Sequence, residues 1–277
     1  KYYNTRLLLC TNKSSGGQEL MFFAGKETTD TKSAEKEIEI GVNLAIQKQD
    51  ASGNNLKIAG IQFEVYDSNN NIWHIYNEEM AIQRISPYST YKIYAALFGL
   101  ESNIIYPKNS KINWNKQEYP FDEWEQDQDL DTAMKYSVNW YFQMIDNAAG
   151  YKQIQNYIQN IEYGNQKISY DINNYWMDDS LKISPIEQVQ LLQKLNQNNF
   201  IFSKENINAV KQSIHISINN TTSLYGKTGT GRIEEKDING WFIGFIETYD
   251  NIYYFSSVFK KHTGMTPGEF ENAYKDV

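Results

Sequence analysis

Ser89 and Lys92 stand three residues apart in the run Pro87-Tyr88-Ser89-Thr90-Tyr91-Lys92. The apolar continuation through Ile93, Ala96, Leu97 and Leu100 predicts a buried helix, which puts both side chains on one face. A serine hydroxyl becomes a useful nucleophile only when a base within hydrogen-bond reach takes its proton. A lysine buried enough to shed its charge is such a base. Ser89 in the first turn also meets the positive end of the helix dipole. Alone, a Ser-x-x-Lys pair is better explained as a capped helix with a solvated lysine, because both residues are common.

Two further groups change that balance. Ser137-Val138-Asn139 lies 48 positions after Ser89, inside the helical pattern Met134, Val138, Tyr141, Phe142 and Ile145, where a serine could relay protons. By itself it reads as a polar helix surface. Lys227-Thr228-Gly229-Thr230-Gly231 lies on a late strand-like run. There Gly229 lets a ligand approach the backbone, and the flanking hydroxyls and ammonium suit a carboxylate. The phosphate-loop alternative fails, since the full Gly-x-x-x-x-Gly-Lys-Ser/Thr pattern is absent. In this order, Ser-x-x-Lys, Ser-x-Asn and Lys-Thr-Gly are the set found in penicillin-recognising serine enzymes.

The elements that must position these groups follow from pattern. Residues 61–66 alternate like a strand, 68–71 supply a turn, and 72–76 read as the hairpin partner. Helical patterns fill residues 89–208, among them 132–146 and 185–195. Strand-like runs return at 223–229, 240–248 and 252–259, with turns at 234–239 and 249–251. Early and late strands bracketing helices predict one sheet completed on both sides of a helical lobe, with a cleft between them. Residues 1–57 read as a leader of uncertain role, polar over 11–36 except for an apolar knot at 20–23, with a short helix over 38–47. Residues 58–277 read as the domain proper.

Composition narrows the function. The 277 residues are 40% apolar, enough for one sizeable core. The net charge of -8 argues against a nucleic-acid partner. Cys10 is the only cysteine, so no internal disulfide can form. No stretch of ~18 apolar residues occurs, which places any membrane link outside this chain. His74, His215 and His262 are scattered without carboxylate or cysteine partners at ligand spacing, and the acidic run 122–131 lacks the glycine and terminal glutamate of an EF-hand. Neither predicts a metal site.

Residues 84–100, RISPYSTYKIYAALFGL, are similar to the nucleophile region of class D β-lactamases and, more closely, of the sensor domains of BlaR/MecR-type β-lactam receptors. The resemblance continues through Tyr119-Pro120-Phe121-Asp122, Ser137-Val138-Asn139-Trp140-Tyr141-Phe142, Tyr163-Gly164-Asn165, residues 176–184, residues 225–231 and Trp241-Phe242. It covers roughly residues 58–259. It implies an α/β (α+β) serine β-lactamase/transpeptidase-like fold, with a five-stranded antiparallel sheet flanked by helices plus a helical lobe. It also implies roles. Ser89 attacks the β-lactam carbonyl, and Lys92, carboxylated on its amine by carbon dioxide, is the base. Ser137 and Lys227 pass the proton to the departing nitrogen. The Ser89 and Thr230 N–H groups form the oxyanion hole, Thr228 and Thr230 hold the drug's carboxylate, and the Trp176 indole supports the modified lysine. No other cofactor is implied.

Asn139 separates two outcomes within this resemblance. Class D hydrolases usually carry an apolar residue there, whereas the receptor domains carry asparagine. An amide can hydrogen-bond the lysine and favour loss of the carbamate after acylation, leaving no base to release the adduct. The expectation is therefore an extracellular β-lactam sensor, joined to a transmembrane receptor portion outside this chain. A class D hydrolase, secreted or membrane-tethered, is the alternative, and a cell-wall transpeptidase a weaker third. Three departures stand out. Residues before 58 do not resemble the usual sensor leader. No arginine follows the Trp241 strand where many class D enzymes bind the carboxylate. Residues 254–270 resemble the last helix-turn-helix segment of AraC-type regulators, although a strand followed by Lys260-Lys261 and a short helix from Pro267 explains them more simply.

Overall fold

The computed structural model describes residues 5–11, 19–23, 38–39, 43–44, 62–67, 72–75, 78–218, 222–233 and 236–248. In chain order the strands and helices are β1 (Thr5–Thr11), β2 (Glu19–Phe23), β3 (Ile38–Glu39), β4 (Asn43–Leu44), β5 (Gln62–Asp67), β6 (Ile72–Ile75), α1 (Glu78–Ala81), α2 (Lys92–Glu101), α3 (Leu130–Lys135), α4 (Asn139–Ala149), α5 (Tyr151–Asn160), α6 (Pro185–Asn196), α7 (Lys204–Ser213), β7 (His215–Ile218), β8 (Thr222–Ile233) and β9 (Lys236–Thr248). A 3-10 turn, Tyr88–Tyr91, leads straight into α2.

The main sheet runs β6-β5-β1-β9-β8-β7, with β2 also paired to β9. Strands from both ends of the described chain therefore flank the helical lobe, as expected of a serine β-lactamase/transpeptidase-like fold. The sheet differs from the five antiparallel strands implied by resemblance. Among the described residues it has seven strands, and β1 lies parallel to both β5 and β9. The added strand β1 holds Leu7-Leu8-Leu9, an apolar run inside the stretch read as leader. β2, the apolar knot of the stretch read as leader, pairs antiparallel with Ile243 to Glu247 of β9, beyond the segment that β1 occupies.

Other expectations shift in smaller ways. The helix predicted over 38–47 is instead the antiparallel pair β3 and β4, since Glu-Ile-Glu-Ile alternates with period two as readily as it fits a helix. The hairpin of β5 and β6 pairs Val65 with His74 and Tyr66 with Trp73. The strands predicted at 223–229 and 240–248 are longer, β8 and β9 pairing from Thr222–Thr248 to Ile233–Lys236. The predicted strand at 252–259 and the AraC-like segment lie outside the described residues.

α2 is the axis of the core. Every residue from Lys92 to Leu100 is buried, as expected for a helix that is apolar on all sides. It packs against α4 and α7, and the turn before it against β8. Around it stand Tyr91, Tyr163, Tyr175 and Trp176, which with Tyr94 of α2 are fully buried and in edge or stacked ring contacts. α6 starts with a capping box, Ser184 Oγ accepting from the Glu187 N–H while the Glu187 carboxylate accepts from the Ser184 N–H, and Pro185 opens its first turn. Among the described residues no helix is long and apolar enough to cross a membrane.

Candidate active site

The loop that carries Ser89 is held from three sides. The Trp241 indole N–H donates to Ser86 O at 3.0 Å, and Ser86 Oγ donates to Asp179 Oδ1 at 2.9 Å. The Tyr88 N–H donates to Trp176 O at 3.1 Å. Thr90 Oγ1 donates to Pro87 O at 2.7 Å and accepts from the Gln188 side-chain amide at 2.9 Å. Ser89 thus sits in the first turn before α2, one turn from Lys92, as the spacing predicted.

Lys92 is wholly buried, and its amine meets four oxygens: Ser89 Oγ at 2.7 Å, Ser137 O at 2.8 Å, Ser137 Oγ at 3.1 Å and Asn139 Oδ1 at 2.6 Å. The rings of Trp176 and Phe142 flank it, with centroids 5.1 and 5.8 Å from Nζ. Burial pushes the Lys92 pKa well below the usual lysine range, and the neighbouring Lys227 pushes it the same way. A neutral amine fits these partners closely. Its two N–H bonds can go to the two carbonyl oxygens, which only accept, and its lone pair is left to take the Ser89 proton.

Ser137 corrects the expectation of one continuous helix over 132–146. α3 ends at Lys135, Ser137 has φ 57°, and Val138 is extended before α4 begins at Asn139. The left-handed conformation, uncommon for a non-glycine residue, aims both Ser137 oxygens at Lys92. Ser137 Oγ also accepts from Lys227 Nζ at 3.0 Å, so one hydroxyl joins the two amines. Lys227 is nearly buried, and burial lowers its pKa to about 8.

β8 provides the opposite wall. The Gly226 N–H donates to Ile214 O at 2.8 Å, on the side where β7 lies. Backbone groups alternate along a strand, so Thr228 and Thr230 aim theirs at that same edge. β7 pairs only as far as Tyr225, which leaves the edge beyond open among the described residues. The Thr228 and Thr230 side chains are exposed, whereas Gly229 is buried. A Cβ on Gly229 would lie 3.1 Å from Pro87 O and 3.2 Å from Thr90 Cγ2, closer than an ordinary van der Waals contact, so glycine lets β8 lie tightly against the loop that carries Ser89.

Ser89, Lys92, Ser137, Asn139, Trp176 and Lys227 therefore converge, and residues 228–230 line the neighbouring strand edge. Trp176 is fully buried, and among the described residues its indole N–H has no partner. Residue typing alone missed Phe142 and Met177. Phe142 lies one turn from Asn139 on α4, its ring flanking Lys92, and Met177 Sδ accepts weakly from the Asn139 amide at 3.8 Å. Their signal was helical spacing from Asn139 and adjacency to Trp176.

A serine poised against a buried amine, with a second lysine across a shared hydroxyl and an open strand edge alongside, equips Ser89 to attack a carbonyl carbon. The chain belongs to the family of the penicillin binding protein transpeptidase domain, which matches residues 44–275. It is 44% identical over 198 residues to the methicillin resistance mecR1 protein of Staphylococcus aureus, an alignment covering 72% of this chain and 34% of that protein. It is 34% identical over 193 residues to the probable beta-lactamase YbxI of Bacillus subtilis, covering 70% and 72% respectively. Among solved structures, the C-terminal domain of the Bacillus licheniformis BlaR penicillin-receptor superposes with a TM-score of 0.60 at 36% identity, covering 74% of this chain and 89% of that one. The chain spans about a third of the length of the mecR1 protein.

Proposed function

We propose that this domain captures β-lactam antibiotics as a lasting acyl adduct on Ser89, serving as the extracellular sensor of a resistance-inducing receptor whose membrane portion lies outside this chain. Ser89 Oγ attacks the lactam carbonyl carbon while Lys92 takes its proton. The carbon–nitrogen bond breaks, and the proton returns through Ser137 Oγ, with Lys227 beside it, to the departing nitrogen. Lys92 ends neutral and Ser89 ends esterified. The Ser89 and Thr230 N–H groups receive the carbonyl oxygen, an arrangement whose individual donors are worth roughly 3–4 kcal/mol in comparable sites. Lys227, Thr228 and Thr230 meet the carboxylate.

The observation that carries the sensor reading is the 2.6 Å contact from Lys92 Nζ to Asn139 Oδ1. It ties the amine to an acceptor that competes with carboxylation of the same nitrogen, and so disfavours the anionic carbamate that a hydrolase would use to activate water against the ester. Carbon dioxide joined to Lys92 as a carbamate fits the residues present, because the unpartnered Trp176 indole N–H could donate to it, and it would supply an anionic base. That same orphaned donor, with the resemblance to YbxI, favours the second reading, a class D hydrolase. Stopped-flow mixing with a chromogenic cephalosporin distinguishes them. One equivalent released in a burst, followed by almost no turnover, supports the sensor, and sustained turnover supports the hydrolase.

A further inference from the structure

The residue before the nucleophile carries an unusual backbone. Tyr88 has φ 49°, in the left-handed region that a bulky side chain enters only when its surroundings impose it. The imposing contacts are the 3.1 Å bond from its N–H to Trp176 O on one side and, on the other, its own ring. That half-buried ring lies against Gly231 of β8 so closely that a Cβ there would be 2.3 Å from Tyr88 Cζ and 2.6 Å from its hydroxyl oxygen. One side chain therefore bridges the neighbours of both proposed oxyanion donors. Tyr88 immediately precedes Ser89, and Gly231 immediately follows Thr230.

We propose that Tyr88 is a positioning residue for acylation: its ring, wedged on Gly231, sets the gap between the Ser89 and Thr230 backbone N–H groups into which the β-lactam carbonyl enters. This rests on the acyl-capture reading above and adds a residue that touches neither amine nor drug. Thr90, Pro87 and Gly229 fix the near side of the same interface, where the fit depends on glycine having no side chain. Tyr88 fixes the far side, where the fit depends on a large ring. The backbone strain, of order 1–3 kcal/mol for such conformations, is the sign that the ring's position matters more here than the local conformational preference.

The test measures the limiting acylation rate and the pre-acylation dissociation constant separately, by stopped-flow with nitrocefin, on the full chain with melting temperature recorded. Tyr88→Asn keeps a residue that tolerates the left-handed region while removing the ring. Its limiting rate should fall roughly 10- to 100-fold, as expected when donors shift by a fraction of an ångström to an ångström, with the dissociation constant changed by less than about threefold. Tyr88→Phe should acylate at the parent rate. Gly231→Ala, which pushes the ring from the other side, should also slow acylation, and Gly231→Ala with Tyr88→Asn should be faster than Gly231→Ala alone. A parent-like rate in Tyr88→Asn or Gly231→Ala, or a loss confined to the dissociation constant, overturns the proposal. If the parent itself is not acylated, the acyl-capture reading fails instead. Should Tyr88→Asn not fold, parent-like acylation by Gly231→Ala is enough to reject the wedge.

Discussion

Replacing Asn139 with valine removes the acceptor that holds the Lys92 amine in its unmodified form. As a neutral amine Lys92 has two N–H bonds, and the carbonyl oxygens of Ser137 and Asn139, at 2.8 and 2.6 Å, can take both. A carbamate retains one N–H, so forming it leaves one of these two part-buried oxygens without its donor. An unpaired buried acceptor costs about 1–3 kcal/mol. That corresponds to roughly a 5- to 150-fold bias toward the free amine. Asn139→Val abolishes the bias and loses besides only the weak 3.8 Å contact to Met177. Protein equilibrated with 13C-bicarbonate should therefore show a carbamate carbon signal that survives acylation in the variant. By intact mass, the adduct with benzylpenicillin should last at least ~10-fold less long than in the parent, if the released penalty is about 1.4 kcal/mol or more. Unchanged carbamate occupancy with an unchanged adduct lifetime would refute the competition at Lys92.

Three other outcomes follow from the same geometry. Trp176→Phe keeps a ring over Lys92 but deletes the unpartnered indole N–H, so carbamate occupancy by 13C NMR should drop while stoichiometric acylation persists; undiminished occupancy would remove Trp176 from that role. The second-order acylation constant should trace a bell against pH, rising as Lys92 loses its proton and falling with a midpoint near 8 as Lys227 loses the charge that meets the carboxylate. Lys227→Arg should carry the falling limb past about pH 10, because a guanidinium stays charged there, and an unmoved limb would assign it to another group. Stability tests the same lysine independently. Its folded pKa of about 8 lies below the ordinary 10.5, so the unfolded chain binds more protons between those values and stability rises with pH. Urea midpoints should accordingly rise from pH 8 to pH 10 in the parent relative to Lys227→Met, and parallel curves would contradict the depressed value.

The site was more legible in the sequence than the sheet. Ser89 with Lys92, Ser137 with Asn139, and residues 227–231 each place reactive groups at spacings that a helix turn or strand edge can bring together. Their order along the chain told more than any of them singly. The break at Ser137 was not legible, because Met134, Val138, Tyr141 and Ile145 keep helical spacing straight across it. Only the tertiary pull of Lys92 on both Ser137 oxygens shows why the backbone turns left-handed there. β1 and β2 escaped notice for a related reason. Short apolar runs such as Leu7-Leu8-Leu9 do not distinguish a central strand from a stray cluster, and their partners in β5 and β9 lie some 55 to 235 residues away. Tyr88 looked like an ordinary aromatic, since nothing in its type announces a positive φ or a glycine waiting opposite.

Everything in this account depends on Ser89 forming a durable ester with a β-lactam. Intact-mass measurement after incubation with excess benzylpenicillin tests that directly, comparing the parent chain with Ser89→Ala. The parent should gain one drug mass per molecule, still present after hours and located on the peptide that contains Ser89, with none on the variant. A parent that gains no mass, or an equally labelled Ser89→Ala, would contradict it.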